Sequence, residues 1–200
     1  YYLMRKKKRV WILTFWVTHS ALWLLSECKL MSGEKYRTKW IEDLGGLFRG
    51  ASREEILEAF QWIADNYVFK SLRSDVVQIL NQHKQSEHIV AIVSATFSEL
   101  LEVVGQRLGV PNVIGTKLEV VDGKCTGRIG KPLCFGENKA NLFREFIARN
   151  GLEIDLSSSF AYADSIFDVP LLKLVGNPVA TYPDGDLRQL AEHNGWRILS

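Results

Sequence analysis

The spacing of apolar residues divides the chain into an all-helical first part and a second part in which strands and helices alternate. In the first part, apolar positions recur every three or four residues, which predicts helices. One of them opens with a capping box, Ser52 to Glu55. The predicted helices cover residues 10–25, 32–45 and 52–67. We therefore predict a helical domain over residues 1–69.

The second part, residues 70–200, carries short runs that are apolar on both sides, such as Ile89–Val93. Runs of this kind are typical of parallel strands covered on both faces. Asp122-Gly123 also marks a hairpin turn. Further strands are predicted near 113–114, 160–163, 178–182 and 196–199, and helices near 74–85, 97–108, 137–149, 169–175 and 185–193. This alternation predicts an α/β domain with a doubly wound, Rossmann-like sheet.

Charge is unevenly distributed along the chain. The 200 residues hold 25 basic and 23 acidic side chains, a net charge of +2. Residues 5–9, RKKKR, supply five of the basic residues, which leaves 20 against 23 elsewhere. A nucleic-acid-binding surface needs basic residues spread over a face, so we expect no nucleic-acid partner. Three widely spaced cysteines favour a reducing, cytoplasmic compartment over a disulfide framework or a zinc site.

The apolar run at residues 10–25 follows this basic segment and imitates a signal peptide or membrane anchor. It is shorter than the ~20 residues that cross a bilayer comfortably. Thr14, Thr18 and Ala21 form a weakly polar, small-residue stripe. We favour a helix buried in a helical bundle. The alternatives are a membrane-embedded anchor formed by residues 10–25 and association with a membrane surface through residues 5–25, since RKKKR attracts anionic headgroups.

Polar residues of complementary chemistry stand where ligands bind in such sheets, at the carboxyl ends of strands. Ser94 and Asp164 each end an apolar strand, and Lys139 lies in the first turn of a helix, where a cation opposes the helix dipole. This set suits a phosphate ester with Mg²⁺. Ser94 and the backbone at Ala95 would bind phosphate, and Lys139 would neutralise it. Asp164 would bind the metal, while Asp168 would bind it too or orient Lys139.

Each of these residues also has a purely structural interpretation. Asp164 and Ser165 are common helix caps, and Ser94 would cap a helix starting at Phe97. Lys139 would be an exposed surface lysine. Taken together, the strand-end and helix-start positions favour a site.

The order of these residues resembles the haloacid-dehalogenase-like hydrolases, closest to the branch that includes phosphoserine phosphatase. Ser94 lies in IVSAT, Lys139 in GENKA, and Asp164 and Asp168 in ADSIFD. The resemblance is close over about residues 70–200 and loose before them. It implies a Rossmann-like core with a helical cap, Mg²⁺, and hydrolysis of a phosphomonoester through an aspartyl-phosphate. By the same resemblance, Ser94 binds phosphate, Lys139 stabilises charge, Asp164 ligates Mg²⁺ and Asp168 supports the metal or Lys139.

One expected motif is absent. The resemblance implies a nucleophile motif, DxDxT, on a first strand before the cap, yet no DxD precedes residue 75. The later Asp184-Gly185-Asp186 lacks the strand and the threonine. We therefore expect a fragment of a longer phosphatase, inactive alone, whose first core strand is missing. Two strand edges would then be left unpaired.

Two residues depart from the phosphoserine phosphatase pattern. Leu44 stands where the resemblance implies a cap arginine, and Phe167 where it implies an asparagine. Both changes remove polar groups that would hold an amino acid. We expect a small phosphorylated substrate of another kind, a lipid or small-metabolite phosphate.

Two other classes of protein compete with this interpretation. A signalling receiver domain also combines carboxylates, a hydroxyl and a lysine with Mg²⁺, but there the acids come first along the chain. A non-catalytic, membrane-associated or binding module on the same fold is the alternative that stays open. The oligomeric state is left open by the sequence.

Overall fold

The structure is a computed structural model that describes residues 9–200, with side chains from residue 12 onward. The helices are α1 (Arg9–Glu27), α2 (Gly33–Gly45), α3 (Arg53–Ile63), α4 (Ser74–Gln85), α5 (Ser98–Leu108), α6 (Glu137–Arg149), α7 (Val169–Leu172) and α8 (Gly185–Asn194). The strands are β1 (Ala91–Phe97), β2 (Asn112–Thr116), β3 (Leu118–Val121), β4 (Lys124–Ile129), β5 (Phe160–Ala163), β6 (Asn177–Thr181) and β7 (Arg197–Leu199). Turns of 3₁₀-helix lie at Gly46–Phe48 and Ile166–Asp168, and a π-turn at Ala64–Val68.

The predicted helix ends are confirmed where a cap specifies them. The capping box at the start of α3 forms, with the Ser52 hydroxyl accepting from Glu55 N and the Glu55 carboxylate accepting from Ser52 N. Helix α5 ends at Gly109, whose φ of 66° is the left-handed conformation that glycine adopts freely.

The strands pair in three groups, which confirms the predicted α/β class. Strands β1 and β2 are parallel, β5, β6 and β7 form a parallel sheet in that order, and β3 and β4 form an antiparallel hairpin. The hairpin turns at Asp122 and Gly123, with φ of 50° and 73°, as a type I′ turn requires. Among residues 9–200, β1 and β5 each have a single hydrogen-bonded neighbour strand.

The chain forms two compact units, one ending at Leu133 and the other spanning Cys134–Ser200. The predicted boundary between residues 69 and 70 lies inside the first unit. Three aromatic rings explain why that unit continues past it. Phe48 and Phe60 pack on Phe97 with ring centroids 5.7 and 5.9 Å away, which joins the helical segment to the end of β1. The division into residues 1–69 and 70–200 stays a prediction.

Helix α1 forms as predicted, but the expectation that it is buried is wrong. From residue 12 onward, the buried residues of α1 are Phe15 and His19, whereas Thr14, Thr18 and Ala21 of the small-residue stripe are exposed. The His19 Nε2 atom lies 3.2 Å from Asp43 Oδ2 on α2, so one face of α1 is covered. Within residues 9–200, none of the helices has the length and apolarity needed to cross a membrane. Residues 5–8 of the basic run lie outside the described residues.

The second unit is held by a small, fully apolar core. Leu172 of α7 and Leu187 of α8 are completely buried together with Ala180 of β6. Ala161, Ala163 and Trp196 pack around them. This core fixes β5 against β6 and thereby positions the loop that follows β5, which carries Asp164 and Asp168.

Candidate functional site

Lys139 and Asp168 form a buried ion pair in the second unit. Lys139 lies in the first turn of α6, and its Nζ donates to Asp168 Oδ1. The side chains are only 10% and 9% exposed. The interpretation of Lys139 as a surface lysine is therefore wrong. The pair also explains how a cation is tolerated at the positive end of a helix, because the Asp168 carboxylate compensates it.

An aromatic contact aligns the two elements that carry this pair. Phe135, just before α6, packs against Phe167 with ring centroids 4.9 Å apart. Phe167 directly precedes Asp168 in the 3₁₀ turn, so the rings set the spacing between the lysine and the carboxylate. In the sequence, Phe135 is distinguished only by its position just before a helix. Aromatic residues are common at such positions, so this signal was not enough to predict its role.

Asp164 lies at the end of β5 with its side chain exposed. Its carbonyl oxygen accepts from Asp184 N at 2.8 Å. The Asp184 carboxylate accepts from Ile166 N at 3.0 Å and from Leu187 N at 2.8 Å. Asp184 thus caps α8 and at the same time fixes the loop after Asp164. Ser165 supplies the predicted capping interaction, since its hydroxyl accepts from Phe167 N at 3.5 Å. The Asp164 carboxylate takes no part in this cap.

Ser94 and Ala95 lie in the first unit, in a part of β1 that departs from regular pairing. The strand continues past Ser94 to Phe97, and its register against β2 shifts between Val93 and Phe97. The Ser94 hydroxyl accepts from Thr96 N at 3.3 Å, and Ala95 O accepts from the Thr116 hydroxyl at 2.8 Å. Helix α5 has no side-chain cap, so the interpretation of Ser94 as a helix cap is wrong. Ser94 and Ala95 thus lie in β1 between its two paired parts, where the pairing with β2 is irregular.

Glu99 lies in the first turn of α5, and its burial predicts that the stability of the chain depends on pH. Its side chain is buried, its Oε2 has no hydrogen-bond partner among the described residues, and burial raises its pKa. The folded state therefore takes up a proton before the unfolded state as pH falls, which adds stability below the folded pKa. We expect Glu99→Gln to be more stable than the unaltered chain at about pH 7, and to lose this gain on acidification. Urea unfolding at several pH values measures it.

Glu119 offers a control in which the pKa shift has the opposite sign. The Thr126 hydroxyl and the Arg128 guanidinium lower the pKa of Glu119, so its contribution to stability is present near neutrality and is lost as pH falls. Glu119→Gln is expected to weaken the chain at about pH 7 and to have no effect in acid. Equal pH dependence in the two variants would contradict the prediction for Glu99.

The predicted metal ligands differ in their availability. Among residues 9–200, no group of three or more histidine, cysteine, aspartate or glutamate side chains has an arrangement that could hold a metal ion. The Oδ1 atom of Asp168 already contacts Lys139, whereas Asp164 is exposed at the strand end. An exposed carboxylate is a hard oxygen ligand of the kind that Mg²⁺ accepts beside waters and substrate oxygens.

The family of the chain follows from residues 26–173, which match the haloacid dehalogenase-like hydrolase model. This span includes Ser94, Lys139, Asp164 and Asp168. The chain belongs to the haloacid dehalogenase-like hydrolases. The resemblance drawn from the motif order is confirmed.

Individual relatives agree with this family. The chain is 36% identical to a phosphoserine phosphatase of Mycobacterium tuberculosis over 149 residues, which is 74% of this chain and 48% of that protein. It is 30% identical to a histidinol-phosphatase of Neisseria meningitidis over 152 residues, which is 74% of this chain and 68% of that protein. Several of the curated relatives are thus about twice as long as the stretch they share with this chain.

Solved structures show the same fold. A protein of unknown function from Bordetella pertussis superposes with a TM-score of 0.78 at 28% identity, over 90% of this chain and 80% of that one. A phosphoserine phosphatase carrying a phospho-aspartyl intermediate analogue superposes with a TM-score of 0.60 at 17% identity, over 91% of this chain and 78% of that one. The second likeness shows the hydrolase fold alone.

Proposed function

We propose that this chain is part of a Mg²⁺-dependent phosphomonoester hydrolase that acts through an aspartyl-phosphate. The observation that carries the proposal is the buried Lys139–Asp168 pair, in which a carboxylate with little solvent access fixes a charged lysine. A lysine held in this way presents its remaining N–H groups in a set direction, which is how charge that develops on a phosphoryl group is stabilised. Asp168 is then a positioning residue, in preference to its other predicted role as a metal ligand.

The remaining residues have complementary roles in this proposal. Ser94 and the backbone at Ala95 bind the phosphoryl oxygens. Asp164 would hold Mg²⁺, which would supply positive charge against the phosphate. The attacking aspartate lies outside these 200 residues. Its carboxylate forms a bond to phosphorus as the bond to the leaving alkoxide breaks, and the alkoxide takes up a proton from water. A second water then cleaves the acyl phosphate, which releases inorganic phosphate and regenerates the aspartate.

The substrate in this proposal is a small phosphomonoester, either a lipid phosphate or a metabolite phosphate. Phe167 packs on Phe135 and offers no hydrogen bond from its side chain where an amino-acid substrate would need one. Phosphoserine and histidinol phosphate, which the names of two relatives suggest, are the natural comparison substrates. Three cysteines that lie far apart in the sequence support a cytoplasmic location.

Activity measurements on the longer protein that contains this chain test the proposal. We expect phosphate release from a panel of lipid, sugar, amino-acid and aryl phosphates to require Mg²⁺ and to stop when EDTA removes the metal. Asp164→Asn should reduce the rate or the Mg²⁺ affinity about 10- to 100-fold. Asp186→Asn, which removes an exposed carboxylate in the first turn of α8, is the matched control and should keep full activity.

Two results would contradict the proposal. One is hydrolysis that continues without divalent metal. The other is Mg²⁺-dependent turnover by the 200-residue chain alone, since that chain is proposed to lack the attacking carboxylate. Absence of any turnover in the longer protein would favour a non-catalytic module on this fold.

A further inference from the structure

The outer surface of α1 carries an apolar stripe. Leu13, Trp16, Val17, Trp23 and Leu24 are 67%, 62%, 64%, 50% and 58% exposed. Their spacing of three, four and seven residues places them on one side of the helix, with Ser20 as the polar residue among them. We call these five residues the outward stripe. Exposed apolar surface of this extent, rich in tryptophan, marks an interaction site.

The opposite side of α1 is fixed to the protein by polar and aromatic contacts. Phe15 packs against Trp40 with ring centroids 6.2 Å apart, and the His19 ring lies 6.2 Å from that of Tyr36. His19 also contacts Asp43, whose other oxygen accepts from Lys39 at 2.5 Å. Because charged groups lie beside this face, α1 cannot be surrounded by hydrocarbon on all sides. The outward stripe is therefore suited to a surface that contacts one side only.

The charge that comes before the outward stripe in the sequence indicates the kind of surface. Residues 5–8 of the run RKKKR directly precede α1 and Arg9 is its first residue, whereas the rest of the chain is mildly acidic, with 20 basic against 23 acidic residues. Basic residues next to an apolar helix face are typical of helices that lie in the interface of an anionic membrane. Tryptophan supports the same assignment, because its ring combines a large apolar surface with an N–H group that suits the headgroup region.

We propose that the outward stripe lies in the headgroup layer of an anionic membrane, with the basic run against the lipid phosphates. The helix then lies along the membrane surface and docks the protein there. This proposal goes beyond the hydrolase activity and does not depend on it, since binding to lipid is measured without turnover.

Co-sedimentation of the full chain with lipid vesicles tests the proposal. We expect binding to phosphatidylcholine vesicles that contain phosphatidylserine, and weak binding to pure phosphatidylcholine. Raising the salt from about 0.15 M to about 1 M should weaken binding, because the Debye length falls from about 8 Å to about 3 Å. Tryptophan emission should shift to shorter wavelength on binding, as Trp16 and Trp23 leave water.

Substitutions within α1 separate the outward stripe from a general effect of charge. Val17→Asp should reduce vesicle binding at least about tenfold, because it places a carboxylate in the layer of anionic lipid. Thr18→Asp adds the same charge one residue away, at an exposed position outside the stripe, and should change binding less than about twofold. Equal far-UV circular dichroism confirms that both variants fold.

Three outcomes would overturn the proposal. The first is equal binding by the Val17→Asp and Thr18→Asp variants. The second is binding that does not distinguish anionic from neutral vesicles. The third is a dimer in analytical ultracentrifugation that Val17→Asp dissociates, since a second copy of the chain would then cover the outward stripe.

Discussion

Replacing Lys139 with methionine is expected to lower the free energy of unfolding by about 3–5 kcal/mol, because it leaves a buried carboxylate unpaired. The partner, Asp168, is 9% exposed and its Oδ1 accepts from Lys139 Nζ. Methionine has nearly the same length as lysine, so the apolar part of the side chain keeps most of its packing. Urea unfolding followed by far-UV circular dichroism measures the change.

A surface pair on the same helix is the matched control for this substitution. Arg149 contacts Glu145 at 3.2 Å, and the two side chains are 72% and 50% exposed. Arg149→Met should change the unfolding free energy by at most about 0.5 kcal/mol, as exposed helix pairs do.

The double variant Lys139→Met with Asp168→Asn tests the mechanism of the loss. It removes both charges, so it should be more stable than Lys139→Met alone, a non-additivity that marks a direct interaction. A loss below about 1 kcal/mol in Lys139→Met would show that water or another group replaces the lysine, contrary to the buried pair.

Helix ends and tight turns were predictable from the sequence because their causes are local. Helices α4 and α6 span Ser74–Gln85 and Glu137–Arg149, as predicted. The hairpin turn at Asp122 and Gly123 has the positive φ values that this residue pair favours. In each case the signal is a cap, a glycine or a spacing within a few residues, so no distant contact is needed to specify it.

Distant contacts account for what the sequence did not specify. Strand β1 was expected to end at Ser94, but it continues because Phe97 pairs with Thr116 of β2. The period of α1 identified a helix, yet periodicity does not say how many sides of an apolar helix are covered. Lys139 and Asp168 are 29 positions apart, so their chemistry could be read from the residue types, whereas their contact depends on the fold.

A methyl group at Gly176 is expected to destabilise the second unit by about 3 kcal/mol, at or above the usual range for overpacking. A Cβ atom there would lie 1.8 Å from Ser157 O and 2.7 Å from Ser157 C. Both are backbone atoms, so no side-chain rotation relieves the overlap. Gly176 N also donates to Leu156 O at 2.8 Å, which holds the two segments together. Urea unfolding of Gly176→Ala measures the loss.

The turn that opposes Gly176 resists displacement. The Asp155 carboxylate accepts from Ser157 N at 2.9 Å and from the Ser158 hydroxyl at 2.6 Å. Hydrogen bonds, chiefly that from the Ser157 hydroxyl, lower the pKa of Asp155 to about 2. The carboxylate is therefore ionised at neutral pH, where it accepts these hydrogen bonds. The strain in Gly176→Ala must then fall on β6, whose first residue follows Gly176.

Gly185→Ala separates steric overlap from the general effect of replacing glycine. Apart from its chain neighbours and the backbone of its own helix, no atom of the described residues lies within 4 Å of a Cβ built at Gly185, and Gly185 opens α8 without a positive φ. Alanine restricts the unfolded chain, so this variant should be neutral or more stable by up to about 1 kcal/mol. If Gly176→Ala matched Gly185→Ala in stability, the segment around Ser157 would have to move freely, which its hydrogen bonds to Asp155 oppose. If both variants lost several kcal/mol, overlap with Ser157 would not be the cause.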